Sequence, residues 1–260
     1  MSVHLATSCV EQLSNWFCSP AGQRLMGEQE DLIRERARRF HGDTLLWVGC
    51  HSPLAKSVRG CMVRNRLLMG SRDSDQVNEL ACFSAGLHEL PFAKGSLDAV
   101  VLHHALETAE DPRTAIREVS RVLAPGGRLL VCGFNPLSLW GVRSVYASVF
   151  SDSFSGLRFV NPRRLVDWLT VLGFARQEEM KYLAYGLPFA RGGSNAKLWR
   201  KLRDTLSQHQ LPVGGVYVLA ATKQVMADMP VSRHERLASG KLAPVAYPKL
   251  SAWNRTERPG

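Results

Sequence analysis

The chain has 260 residues, 45% of them hydrophobic, and a formal net charge of +10 at pH 7, so it can bury a full core and is too apolar to be disordered throughout. The positive excess suits an anionic partner such as nucleic acid, a phosphorylated metabolite or lipid, without choosing among them. Cys9, Cys18, Cys50, Cys61, Cys82 and Cys132 form no C-x-x-C pair and no run of 18 apolar residues occurs, which argues against a zinc site, a disulfide framework or a spanning helix and fits a reducing cytoplasm.

Residues 8–40 read as two helical pieces, the second opened by Ser19-Pro20 and continued by Leu25, Leu32 and Ile33. Proline suits a first helical turn, where its missing N–H has no helical partner to lose. This arm is expected to pack over a sheet whose first strand, 44–48, ends at Gly49 and leads into a helix over about 53–59. Residues 63–69, 79–83, 97–102 and 128–132 read as further strands. Between the last two, a helix over 112–123 sets Ile116, Val119 and Leu123 on one apolar face. Near-continuously apolar strands joined by helices mean an α/β fold with a parallel sheet covered on both sides. Asn161-Pro162 opens another helix, with Leu165, Trp168, Leu169 and Leu172 on one face and Gly173 as its stop. Two strands follow, 174–182 and 216–222, with a basic helix near 195–206 between them. Residues 231–260 have no apolar period and read as a loose basic tail.

In an open parallel sheet, ligands sit beyond the carboxyl ends of the strands. After the first strand come Gly49, Cys50 and His51; a glycine there lets a ligand approach the backbone, and it equally serves a plain turn. After the third strand, Leu87, Glu89 and Leu90 form a turn that could face a heterocycle or close the edge of the core. His103 and His104 follow the fourth strand. Adjacent residues of an extended backbone point to opposite faces, so one is expected in the cleft and the other as a hydrogen-bonded structural histidine. Asn135, in the aromatic loop 133–141, reads either as a substrate hydrogen-bonder or as the cap of that loop. No metal site suggests itself, and no G-x-S-x-G elbow is present.

Taken together, Glu89-Leu-Pro-Phe92, Gly95-Ser-Leu-Asp98, His104-Ala-Leu-Glu107, Asp111-Pro112, Glu118 and Arg121-Val-Leu-Ala-Pro125-Gly126-Gly127 resemble the core of class I S-adenosylmethionine-dependent methyltransferases of the bacterial small-molecule type. The resemblance covers roughly residues 44–133. Residues 16–22 and 133–141 further resemble a proteobacterial branch of methyltransferase-like proteins. The fold this implies is a Rossmann-like seven-stranded sheet of order 3-2-1-4-5-7-6, strand seven antiparallel, with helices on both faces. The implied organisation is an N-terminal helical arm over 1–42, the methyltransferase-like domain over 43–230 and the tail over 231–260.

The family's first loop carries an acid before a G-x-G-x-G turn, where this chain has Trp47 and then Gly49, His51 and Pro53. Its ribose-gripping carboxylate should fall near Gly70 or Ser71, and the acid after strand three at Gly86. By this resemblance Gly49, Cys50, His51, Leu87, Glu89, Leu90 and His103 would bind the cofactor. His104, with His103, Glu107 and Asn135, would serve the acceptor, His104 as base because a neutral imidazole accepts a proton near pH 7, and Glu107 equally reads as a cap or brace of its helix. Asp98 is expected in the opening turn of its strand, and Glu118 with Arg121 as a structural ion pair. Two functions stay open: a methyltransferase acting on a small molecule, and a noncatalytic methyltransferase-like ligand-binding or regulatory module, its basic C-terminal half contacting RNA or another polyanion.

Overall fold

A computed structural model of the protein describes residues 10, 12–49, 52–69, 81–138, 156–183, 205 and 212–224. The expected basic helix near 195–206 and the tail over 231–260 fall almost wholly outside these residues.

Three helices begin with the same device. In α1 (Pro20–Ala37), α2 (Pro112–Val122) and α3 (Pro162–Val171) a proline occupies the first turn, preceded by Ser19, Asp111 and Asn161 respectively. Each capping side chain accepts a hydrogen bond from a first-turn N–H, of Gly22 at 3.2 Å, Arg113 at 3.0 Å and Arg163 at 2.9 Å. These bonds satisfy donors that the helix itself leaves unpaired.

The strands are β1 (His41–Gly49), β2 (Met62–Met69), β3 (Ala81–Phe83), β4 (Leu97–His103), β5 (Leu123–Phe134), β6 (Phe174–Arg176), β7 (Lys181–Leu183) and β8 (Val216–Lys223). They form one sheet of order β3-β2-β1-β4-β5-β8-β6, with β7 also paired to β8. From β3 to β5 every pairing is parallel, whereas β8 runs antiparallel to β5, β6 and β7. This is the order the resemblance implies. Its sixth position is broken in two: β6 pairs with the end of β8 and β7 with its start, so the single strand expected over 174–182 leaves the ladder between Arg176 and Lys181.

The helix expected after β1 is present as a 3-10 helix (Ser52–Gly60), whereas the fifth strand opens at Leu123 rather than at 128. In that strand Leu97 pairs with Leu123 and Ala99 with Arg128, so the Pro125-Gly126-Gly127 turn is looped out of a ladder that resumes beyond it. Gly126, at φ 79°, supplies the left-handed step.

Opposite faces of the sheet carry separate apolar clusters. On one, Leu13, Phe17, Leu25 and Ile33 from the N-terminal segment pack with Leu45 and Trp47 of β1 and Val101 of β4. On the other, Ile116 and Val119 of α2 and Leu165 and Leu169 of α3 pack with Leu46, Val100 and Leu129. Alternation along each strand divides its side chains between the two. At the amino ends, Asp98 accepts from the backbone N–H groups of Asp43 at 2.7 Å and Thr44 at 3.0 Å, which seats β1 against β4.

Glu118 and Arg121 do more than pair with each other. Arg121 donates to Glu118 at 2.8 and 2.7 Å, the N–H of Leu90 donates to Glu118 at 2.8 Å, and Arg121 donates to the carbonyl of Leu90 at 3.1 Å. The pair thus clamps the loop after β3 onto α2. The Arg121 bond, helped by the Leu90 N–H, holds the Glu118 carboxyl below its ordinary 4.5 against the opposing effect of burial. A depressed carboxylate stabilises the fold above the unfolded value and loses that contribution as pH falls through the folded one. Glu118→Gln is expected to cost about 1–2 kcal/mol at pH 7, with the deficit narrowing below pH 4.5. Urea titrations of both proteins across that range check it; a deficit independent of pH would contradict the clamp.

Candidate functional site

The carboxyl ends of β1 and β4 meet at Gly49 and His103, which are paired in register. A Cβ at Gly49 would lie 2.6 Å from the His103 carbonyl oxygen and 2.9 Å from its Cβ, so the glycine is demanded by strand packing whatever else it does. Trp47 stands where the family carries an acid; it is fully buried, and its ring stacks on that of His103 at 5.5 Å between centroids.

Strict alternation would put only one of His103 and His104 on the cleft side, yet the structure brings both rings together, 4.7 Å apart and edge to face. The cause is His104, which has φ 52°, the one non-glycine residue among those described with a positive φ. Its N–H still donates to the Cys132 carbonyl at 2.9 Å, so the sheet register holds while the left-handed step redirects the side chain. Such a conformation costs about 1–3 kcal/mol and persists only where its surroundings impose it.

Both rings meet Gln29, a buried residue of α1. Its Oε1 lies 2.8 Å from His103 Nε2 and its Nε2 lies 3.1 Å from His104 Nε2. An amide oxygen only accepts and an amide nitrogen only donates, so His103 donates from Nε2 and His104 accepts at Nε2. His104 is therefore neutral and carries its proton on Nδ1, which donates to Glu107 Oε1 at 3.1 Å. That same oxygen accepts the Phe134 N–H at 2.6 Å, while Glu107 Oε2 is buried with no hydrogen-bond partner among the described residues. Burial first and Glu107 second push the Cys132 thiol and the Tyr217 phenol upward. Both stay protonated at neutral pH.

Aromatic rings close over this chain of polar groups. Phe17 lies 5.7 Å from the His103 ring and 5.2 Å from that of His104, and Phe134 lies 4.3 Å from His104. His103, His104 and Gln29 have no exposed surface, and Glu107 is 2% exposed. The sequence placed the first two and Glu107 in one loop but gave Gln29 no role. Its signal was present: Gln29 interrupts the apolar row Leu25, Ile33 at four-residue spacing on one helical face.

The remaining candidates are placed as follows. Asn135 is fully buried; its amide donates to the carbonyls of Pro212 at 3.0 Å and Gly214 at 2.9 Å and accepts from the Leu137 N–H at 3.0 Å. This is the loop-capping arrangement, and it spends the amide. Leu87 is half-buried, Glu89 exposed and Leu90 buried under the Glu118 clamp. Cys50, His51 and the ribose-gripping positions 70 and 71 lie outside the described residues.

The strand order, the antiparallel β8 and a polar cluster at the carboxyl ends of β4 and β5 define a Rossmann-like methyltransferase fold. Residues 49–131 match the family of methyltransferase domains. An uncharacterized protein of Escherichia coli, YafS, is 39% identical over 85 residues, 33% of this chain and 35% of its own length. A malonyl-[acyl-carrier protein] O-methyltransferase of Halorhodospira halophila is 35% identical over 150 residues, 54% of this chain and 50% of its own. The chain thus spans half the length or less of these curated relatives. Among solved structures, a SAM-dependent methyltransferase of Thermotoga maritima superposes with a TM-score of 0.58 at 16% identity, over 86% of this chain and all of that one. Residues 49–131 thus match a methyltransferase domain, set in a fold shared with S-adenosylmethionine-dependent methyltransferases.

The cofactor of that class pairs a flat base with a positively charged sulfonium. A buried carboxylate on Glu107 suits a cation, and half-buried Leu87, three residues before the clamped Leu90 main chain, suits a base. These groups fit it; Trp47, in place of the acid, adds nothing to the grip on the methionyl end. Because Gly49 is needed by β4 itself, Gly49→Ala is expected to destabilise the fold by about 1–3 kcal/mol before any ligand is added. A urea midpoint equal to that of the parent would show that the His103 contact is unimportant.

Proposed function

We propose that this chain is an S-adenosylmethionine-dependent methyltransferase acting on a small molecule, and that His104 takes the proton which the acceptor gives up. One observation carries the reading. Within the matched segment, a neutral imidazole presents an accepting Nε2 while its Nδ1–H is held by a buried carboxylate. A base so arranged can gain a proton and have the resulting imidazolium stabilised by Glu107, a contribution of about 10²–10⁴ in rate. S-adenosylmethionine supplies an electrophilic methyl group when bound. Gly49, Cys50 and His51 would lie along its methionyl part, and Leu87, Glu89 and Leu90 along its base, with His103 between cofactor and acceptor. Aromatic walls from Phe17 and Phe134 exclude water from the proton's path. We place this activity in the cytoplasm, where the thiols of Cys18, Cys61 and Cys132 stay reduced.

A noncatalytic ligand-binding module is the second reading, and the observation favouring it is the buried Trp47 at the acid's position together with the full cover over both histidines. Calorimetry with the purified chain separates the two. The methyltransferase reading expects S-adenosylmethionine to bind in the range of about 1 μM to 1 mM, typical of enzyme ligands; silence throughout that range would leave the second reading standing.

A further inference from the structure

Resting on the methyltransferase reading, we infer that Gln29 is a built-in stand-in for the acceptor, and that the pocket it fills is a binding site for a carboxyl group. The carboxamide of Gln29 meets the histidine pair through two atoms: an oxygen that receives the His103 Nε2–H at 2.8 Å and a nitrogen whose hydrogen goes to His104 Nε2 at 3.1 Å. A protonated carboxyl group is planar, nearly the same size, and offers the same acceptor and donor in the same fork. Replacing Gln29, its carbonyl oxygen would accept from His103 and its O–H would donate to His104. The O–H bond then breaks as the His104 N–H bond forms, leaving a carboxylate held by two imidazole N–H donors and a His104 imidazolium braced by Glu107.

Three features distinguish this place from an ordinary core hydrogen bond. Gln29 belongs to α1, outside the matched segment 49–131, so it reaches the cluster from a helix that is not a member of the sheet. His104 is held at φ 52° so that both ring nitrogens converge on that one amide. Beneath it, Glu107 keeps a buried oxygen with no hydrogen-bond partner among the described residues, a negative counterpart for the charge His104 would acquire. An apolar core would gain more from leucine at position 29 than from a buried amide tied to a strained partner. The acceptor class assigned is therefore a small molecule bearing a free carboxyl group, bound when α1 draws Gln29 aside.

The test removes the stand-in and offers its replacement. Full-length Gln29→Ala is titrated with sodium acetate, acetamide and sodium chloride at constant ionic strength, following the melting temperature and the ring-nitrogen resonances of His103 and His104. Acetate should raise the melting temperature and shift both imidazoles with a Kd of about 1–100 mM, the range expected of a two-bond fragment, and chloride should do neither. Acetamide binding without acetate binding would overturn the carboxyl assignment; no shift with either would overturn the site. Should the alanine variant fail to fold, Gln29→Asn, which withdraws the amide by one methylene, is put through the same titration with the same outcomes. None of these readouts involves S-adenosylmethionine. Acetate binding in a protein that does not bind the cofactor would sink the methyltransferase reading and leave the carboxyl site intact.

Discussion

One carboxamide joins the N-terminal helix to the carboxyl ends of the central strands, and the arrangement of everything polar in that region follows from it. Gln29 donates on one side and accepts on the other, so it fixes the tautomers of two histidines at once. The His104 proton is thereby directed to Glu107, and Glu107 in turn receives the N–H of Phe134 at the end of β5. Three elements, α1, β4 and β5, are tied by a chain of hydrogen bonds that runs through the apolar core.

A buried polar group costs about 1–3 kcal/mol when it lacks a partner, and a chain of this kind is favourable only where its members satisfy one another. Here nearly all do. Glu107 Oε2 and Trp47 Nε1 are among the buried exceptions; Glu107 is bonded to His104 and the Trp47 ring is stacked on His103. A left-handed histidine and an unpaired carboxylate oxygen thus lie at the place where the sheet topology puts ligands. Elsewhere the fold conforms to simple rules: capped helices, apolar strands, and glycines where backbones meet.

That contrast explains what could be read from the sequence. The helix starts were legible because Ser-Pro, Asp-Pro and Asn-Pro each combine a capping side chain with a proline suited to the first turn. Sheet order came from resemblance, since local patterning identifies strands but not their neighbours. The split of the sixth position into β6 and β7 was not legible, because the break lies in how residues 177–180 leave β8 and no proline or glycine marks it. Within the site, His103, His104 and Glu107 announced themselves by type and position. Their convergence did not, because the alternation rule assumes extended backbone and His104 departs from it. Gln29 was hardest to see, being some 75 residues away in sequence and conspicuous only as an amide in an apolar row. Asn135 showed the reverse: a loop amide that invited a substrate is consumed in holding residues 135–138 against 212–214.

We propose that the cluster under α1 is the chemical centre of this domain, with the histidine pair set in defined protonation states before any ligand arrives. Long-range proton–nitrogen correlation spectra of the ligand-free protein, labelled with nitrogen-15 at histidine, test this most directly. The prediction is a neutral His103 protonated at Nε2 and a neutral His104 protonated at Nδ1, both protected from rapid solvent exchange. A His104 protonated at Nε2, or rings whose protons exchange freely with water, would contradict it.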